Sequence, residues 1–206
     1  SDSWIGASFS FAESFVESFT GLFVTPGFGL IDTGAQHGVV GLTDFDKLCE
    51  RLKEYGLKPR ALPTFQANAV GVGGSTSFVK TCEVPVALQG VSGLLTLNVI
   101  NTELPLLLPM TMCRSLGMVL DTNTDTATWQ KLSISVGREL VSKVITLESD
   151  HIAIDILEFP PDGSRNPHQN PASLALDGRK VDHSITRAQY ECEPYTHTFS
   201  TAIQPS

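Results

Sequence analysis

The sequence predicts one mostly β domain carrying one or two short helices, and three observations carry that expectation. A chain of 206 residues with 41% hydrophobic content is ample for the packed core of one ordinary domain. Seventeen glycines and twelve prolines mark a turn-rich chain rather than a helical bundle. Between residues 64 and 100, the apolar runs "FQANAVGV", "FVKTCEVPVAL" and "GLLTLNVI" are separated by the turn stretches "GGST" and "QGVSG".

Taken in order, residues 1–20, "SDSWIGASFSFAESFVESFT", form an N-terminal segment rich in Ser and Phe. Phe9 and Phe11 alternate like a strand, while Phe11, Phe15 and Phe19 recur at helical spacing, so periodicity leaves both readings open. "GLFVTPGFGLIDTG" reads as two short strands broken at Pro26 and Gly27, and "GVVGL" as another. The best helix is "LTDFDKLCERLKEYG". Thr43 or Asp44 suits its N-cap, Phe45, Leu48, Leu52 and Tyr55 supply an apolar stripe, and Gly56 ends it. After the β stretch, "LPLLLP" leads into a short helix, "MTMCRSLG", and "MVLDTNTDTATWQKL" reads as a hairpin. "LVSKVITLES" and "HIAIDILEF" make a further strand pair within residues 131–159. Residues 160–206 hold half of the prolines and few periodic apolar positions, as in a poorly ordered tail or a wrapping arm. No internal repeat is present.

Charge and composition exclude several function classes. A net charge of −8 with no Lys/Arg run argues against a nucleic-acid surface. The longest apolar stretches, such as "LPLLLPM", are too short to span a bilayer. No secretory leader is visible, although the chain starts at Ser1 and an upstream segment can have been removed. Cys49, Cys82, Cys113 and Cys192 are scattered, with no C-x-x-C and no H-E-x-x-H. Reduced thiols in an intracellular, cytoplasmic protein without a zinc site are the expectation.

The stretch "FGLIDTGAQHGVVGL", residues 28–42, wedges one acid, Asp32, between two apolar runs. An isolated carboxylate is costly to bury without a partner. Either this is an ordinary hairpin turn, or the acid is held there for chemistry and its partner lies elsewhere. Asp121 and Asp125, in "LDTNT" and "TDTAT", are not followed by Gly, and their polar context is that of a hairpin turn.

The order of strand, Asp-Thr-Gly-Ala, strand, Gly-rich hairpin and hydrophobic triplet before a short helix resembles the retropepsin family. These are the single-lobe aspartic proteases of retroviruses and retrotransposons. The residues that carry the resemblance are Leu30 to Ala35, Gly71-Val72-Gly73-Gly74, and Leu106-Leu107-Leu108 followed by Leu116-Gly117. It covers roughly residues 20–130, taken as a protease core from 21 to 130. The resemblance implies a single-lobe acid-protease fold closed by dimerisation, with Asp32 of two subunits facing each other across one water. Like charges so close share a proton, so one carboxyl acts as general base and the other as general acid.

Thr33 then hydrogen-bonds across to the partner loop, and Gly34 allows a tight turn with amides near the carboxylate. Ala35, Val70 and Leu108 are the substrate-lining residues implied. Gly71 to Gly74, with Val72, lie in a flap that closes over an extended polypeptide. The implied activity is aspartic endopeptidase cleavage near apolar side chains at mildly acidic pH, in retroelement polyprotein processing or a domesticated derivative. The implied assembly is a homodimer, with no metal, no organic cofactor, no nucleic acid and no membrane.

The chain also departs from the viral pattern. Gln36 and His37 stand where acidic residues commonly follow the Ala, and Pro109 and Met110 stand where viral members carry Gly-Arg. An ion pair is thus absent as a unit, which bears on dimer bracing rather than on the dyad. His37 reads as a turn residue and His151 as a hydrogen-bonding structural one. Residues 131–159 have no counterpart in the compact viral enzymes, and could add strands to the dimer sheet or cover its edge. The rival reading is a catalytically silent dimeric scaffold or peptide-binding module, against which the intact Asp-Thr-Gly stands.

Overall fold

Short apolar runs punctuated by Gly and Pro favour strands closed by tight turns, and the chain folds accordingly. The computed structural model describes residues 22, 24–35, 37–62, 78–161 and 174–175, with 78, 174 and 175 placed by their backbone alone. Residues 1–20, the Gly-rich hairpin, and the tail apart from 160–161 and 174–175 lie outside the described residues.

The strands are β1 (Phe28–Asp32), β2 (Gly38–Gly41), β3 (Arg60–Ala61), β4 (Phe78–Leu88), β5 (Val91–Ile100), β6 (Leu107–Pro109), β7 (Met118–Asp121), β8 (Thr126–Trp129), β9 (Val141–Thr146), β10 (Ile152–Asp155) and β11 (Leu174–Ala175). The helices are α1 (Leu42–Lys53), α2 (Met110–Leu116) and α3 (Gln130–Val136). One mixed sheet runs β3-β4-β5-β2-β6-β1-β10-β9-β8-β7, with β11 also pairing β5. The pairs β1–β6, β2–β5 and β5–β11 are parallel and the rest antiparallel.

The hairpin β4–β5 is the longest, and Gln89 and Gly90 close it with φ of 48° and 80°. Two successive positive φ values match the right-handed strand twist of a two-residue turn. The chain after β10 curls the sheet back on itself. Ile156 donates its N–H to Gly27 O at 2.9 Å, and Ala87 donates to Ile156 O at 2.8 Å, so this segment bridges β1 and β4.

Helix α1 buries the stripe Leu42, Phe45, Leu48 and Leu52 against the core strands. It begins at Leu42 with Gly41 as N-cap, rather than at Thr43 or Asp44. Gly41 N–H donates to Leu104 O at 2.9 Å, and a Cβ at Gly41 would stand 2.2 Å from Thr102 O. Tertiary closeness thus places the strand-to-helix corner two or three residues earlier than side-chain capping suggests. Three helices are present among the described residues, not one or two. The third, α3, has Leu132 as its buried residue, too thin an apolar signal for the sequence to show.

The main core packs α1 against β4 and β5 and continues through Trp129, Leu132, Leu140 and Val144. A second cluster, Leu30, Leu104, Leu107 and Ala153, lies on the other face of β1. No helix among the described residues is long and apolar enough to cross a membrane.

Candidate active site at Asp32

Strand β1 is two-faced, because successive side chains alternate. Leu30 joins the second cluster with Phe28 packed on it, while Ile31 packs against the main core. Asp32, two residues beyond Leu30, therefore emerges at the end of the strand on the face of the second cluster. Neighbours hold the strand on both sides. Parallel β6 pairs Leu30 with Leu107, Ile31 with Leu108 and Asp32 with Pro109, and antiparallel β10 pairs Leu30 with Ala153.

Gly29 lets leucines close in beneath. A Cβ there would lie 2.5 Å from Leu106 Cδ2 and 2.6 Å from Leu108 Cγ. The acid thus sits at the end of a strand paired on both edges and packed from below, which fixes its position.

The turn that follows is held by its own backbone. Asp32 Oδ1 accepts the Gly34 N–H at 2.9 Å, and Asp32 O accepts the Ala35 N–H at 3.3 Å. Met110 then donates its N–H to Ala35 O at 2.9 Å, tying the turn to the start of α2. Asp32 is 6% exposed, yet its Oδ2 has no hydrogen-bond partner among the described residues. Leaving such an atom unsatisfied costs about 1–3 kcal/mol.

Burial pushes the Asp32 carboxyl above its ordinary value, while the Gly34 and Ala35 amides and the charge of His151 pull it back. One oxygen is oriented and the other uncommitted, so this carboxyl is suited to exchanging a proton with something outside the described residues.

The remaining residues named from the sequence fall in different places. Thr33 and Gly34 are exposed beside the acid and Ala35 is buried under the turn. Leu108 is fully buried in the main core on the opposite face from Asp32, so it supports the acid's strand from beneath. Val70, Gly71, Val72, Gly73 and Gly74 lie outside the described residues.

Asp121 caps the β7–β8 turn, its Oδ1 accepting the N–H groups of Asn123 at 2.8 Å and Thr124 at 3.3 Å. Asp125, with φ of 50°, is part of the same turn. His37 is exposed. His151, half-buried, shares a 2.8 Å hydrogen bond between Nδ1 and Ser149 Oγ, and its carbonyl accepts the Leu147 N–H at 2.8 Å. Its electrostatic link to Asp32 had no signal in the sequence, because the two residues are far apart in the chain.

No group of three His, Cys, Asp or Glu among the described residues could hold a metal ion. A cavity of ≈ 220 Å³ opens elsewhere, between the start of α1 and the approach to β6, lined by residues including Leu22, Asp44, Lys47 and Glu103. None of the Asp32 turn contributes to it.

No protein-family model matches the chain, and no curated protein does. Among solved structures the chain is similar to the retroviral protease-like domain of Ddi1 from Leishmania major. The identity is 18% and the TM-score 0.38, over 57% of this chain and 94% of that one.

Proposed function

We propose that the chain is an aspartic endopeptidase of retropepsin type, active as a homodimer whose two Asp32 carboxyls form one site. One observation carries the reading: Asp32 is buried on the Asp-Thr-Gly-Ala turn with one oxygen oriented by Gly34 and the other unpartnered. A lone orphaned carboxyl oxygen is a cost to a monomer. A second copy of the same turn, meeting it on a two-fold axis, turns that cost into a shared-proton pair.

In the proposed reaction one Asp32 carboxylate takes a proton from water, whose oxygen adds to the scissile carbonyl carbon. The other, protonated, Asp32 gives its proton to the carbonyl oxygen. Collapse of the tetrahedral diol breaks the C–N bond: the departing amine takes a proton from one Asp32 while the other takes a hydroxyl proton from the diol, which re-forms the carbonyl and restores the single shared proton. In this reading Thr33, exposed beside the acid, would supply a hydroxyl contact to the facing turn, and exposed Gly34 would leave room for that turn to approach. Residues 70–74 would close over an extended, apolar polypeptide, such as a retroelement polyprotein segment or a domesticated counterpart.

The test compares wild type with Asp32→Asn on an unbiased peptide pool from about pH 4 to pH 7, with mass-spectrometric readout and sedimentation in parallel. Cuts made by the wild type and lost in the variant are expected. Two inert proteins that both sediment as dimers would replace the enzyme with a silent peptide-binding scaffold.

A further inference from the structure

Strand β5 has two edges, and β4 pairs along one of them from Val91 to Ile100. Both β2 and β11 therefore lie on the other. Leu174 and Ala175 of β11 pair Gly93 and Leu94, while Gly38 to Gly41 of β2 pair Leu97 to Ile100. Both run parallel to β5, so they lie end to end on one edge and point the same way. Leu95 and Thr96 alone separate them along β5. Ala175 thus stands three strand positions, about 10 Å, short of Gly38.

The end of β2 that faces β11 is the Asp32 end of the sheet. Asp32 is opposite Pro109 on β6. β2 runs antiparallel to β6 with Val39 opposite Leu107, so the residues before Val39 lie toward Pro109. The chain enters β2 from the Asp32 turn, whose Ala35 carbonyl is tied to the Met110 N–H. Gly38 is held close to β5, for a Cβ there would stand 2.6 Å from Leu97 Cδ2 and 2.8 Å from Thr96 O. From Leu97 onward the edge of β5 is therefore taken. A chain continuing past Ala175 has room for two residues, Leu176 and Asp177, before it reaches the leg of the Asp32 turn.

We propose that residues 176–180, Leu-Asp-Gly-Arg-Lys, dock across the Asp32 turn as a tethered occupant that competes with an external polypeptide. The docking rests on the paths of β11 and β2, and its effect on cleavage rests on the endopeptidase reading. Leu176 and Asp177 extend β11 along Leu95 and Thr96, as an added strand does on an open sheet edge. Gly178 turns the chain out of the sheet where β2 begins, and Arg179 and Lys180 follow toward the buried acid. The tether does most of the work. A segment held on a short link has an effective concentration on the order of 1 mM, so a weak contact with a Kd of about 0.1–0.3 mM keeps it bound most of the time.

The experiment uses the full chain as wild type, as Ala175→Pro, which removes a backbone N–H within β11, and as Ala188→Pro, the same change further along the tail. Two readouts are taken: steady-state kinetics on a peptide that the protein cleaves, and the backbone amide NMR signals of Gly34 and Gly38 without substrate. Ala175→Pro is expected to lower KM about fourfold to tenfold at unchanged kcat and to move both glycine signals. Ala188→Pro is expected to match wild type in both. A synthetic peptide of residues 174–180, added to Ala175→Pro at about 1 mM, is expected to raise KM again and return the signals toward wild type.

An unchanged KM in Ala175→Pro, a fall in kcat instead, or the same response from Ala188→Pro overturns the competition. Glycine signals that stay in place overturn the docking itself. A tail found cut within residues 175–180 is a substrate rather than an occupant, and overturns the proposal too. If neither wild type nor Ala175→Pro cleaves anything, the endopeptidase reading falls and the NMR decides alone. Signals moved by Ala175→Pro and returned by the peptide then sustain the docking, and signals that do not move or do not return overturn it.

Discussion

Replacing Glu158 by Gln should make the protein more stable at alkaline pH and leave it unchanged in acid. Glu158 lies just past β10, where its N–H donates to Ala87 O at 3.3 Å and its carbonyl accepts the Gly90 N–H at 2.8 Å. Its Oε2 accepts a hydrogen bond from Gln89 Nε2 at the β4–β5 turn. Arg138 braces the same turn, donating to Gln89 O at 2.5 Å. Burial, and then the like charge of Asp155, push the Glu158 carboxyl from 4.5 up to about 7, against a hydrogen bond from the Gln89 backbone that pulls it down.

Because the folded value is the higher one, the fold favours the protonated form. The benefit is complete below about pH 4.5 and is lost as pH rises through about 7. At about 1.4 kcal/mol per pH unit the full difference is roughly 3 kcal/mol. The half-buried side chain keeps contact with water, which reduces this to about 1–2 kcal/mol.

Gln keeps the shape and an acceptor for Gln89 but cannot ionise. Urea unfolding should therefore show equal midpoints near pH 4 and a Gln midpoint higher by roughly 0.5–1 M near pH 8, for a slope of about 2 kcal/mol/M. The Asp32 carboxyl is also raised and drifts in the same direction, but it is present in both proteins and cancels in their difference. A constant offset across pH, or a wild type more stable than the variant at pH 8, would refute the reasoning.

Two helix ends make a matched pair. Gly117 and Gly137 both sit in the left-handed region, with φ of 64° and 76°. A Cβ at Gly137 meets nothing within 4 Å, whereas one at Gly117 falls 2.7 Å from Lys131 Cγ and 2.9 Å from Lys131 N. Gly137→Ala should cost about 1 kcal/mol for the backbone conformation alone, and Gly117→Ala about 1–3 kcal/mol more for the clash; equal thermal shifts would contradict this. Arg60 and Glu83, each 7% exposed and opposite one another on β3 and β4, form a buried ion pair. Arg60→Met should cost about 3–5 kcal/mol by breaking the buried pair, and adding Glu83→Leu should recover most of it in denaturant melts.

The features legible in the chain were those built from neighbours in sequence. The Asp32 turn is one, since its oriented oxygen needs an amide two residues away. The Asp121 turn is another of the same kind. The stripe of α1 was readable because 3.6-residue periodicity writes itself into Phe45, Leu48 and Leu52. The start of α1 at Gly41 was not, because the limit there is the carbonyl of Thr102, some sixty residues on. Nor was α3, where one buried leucine cannot impose a period.

Local pattern and turn chemistry thus determined the acid, its turn, the β character and the main helix. Tertiary pairing decided that the segment leading into Asp155 lies beside the Asp32 strand, that Leu108 supports that strand rather than facing outward, and that the charge of His151 is felt at the acid. Those outcomes depend on the register of β1 with β6 and β10, strands far from it in the chain, and register is set by which faces can be buried together.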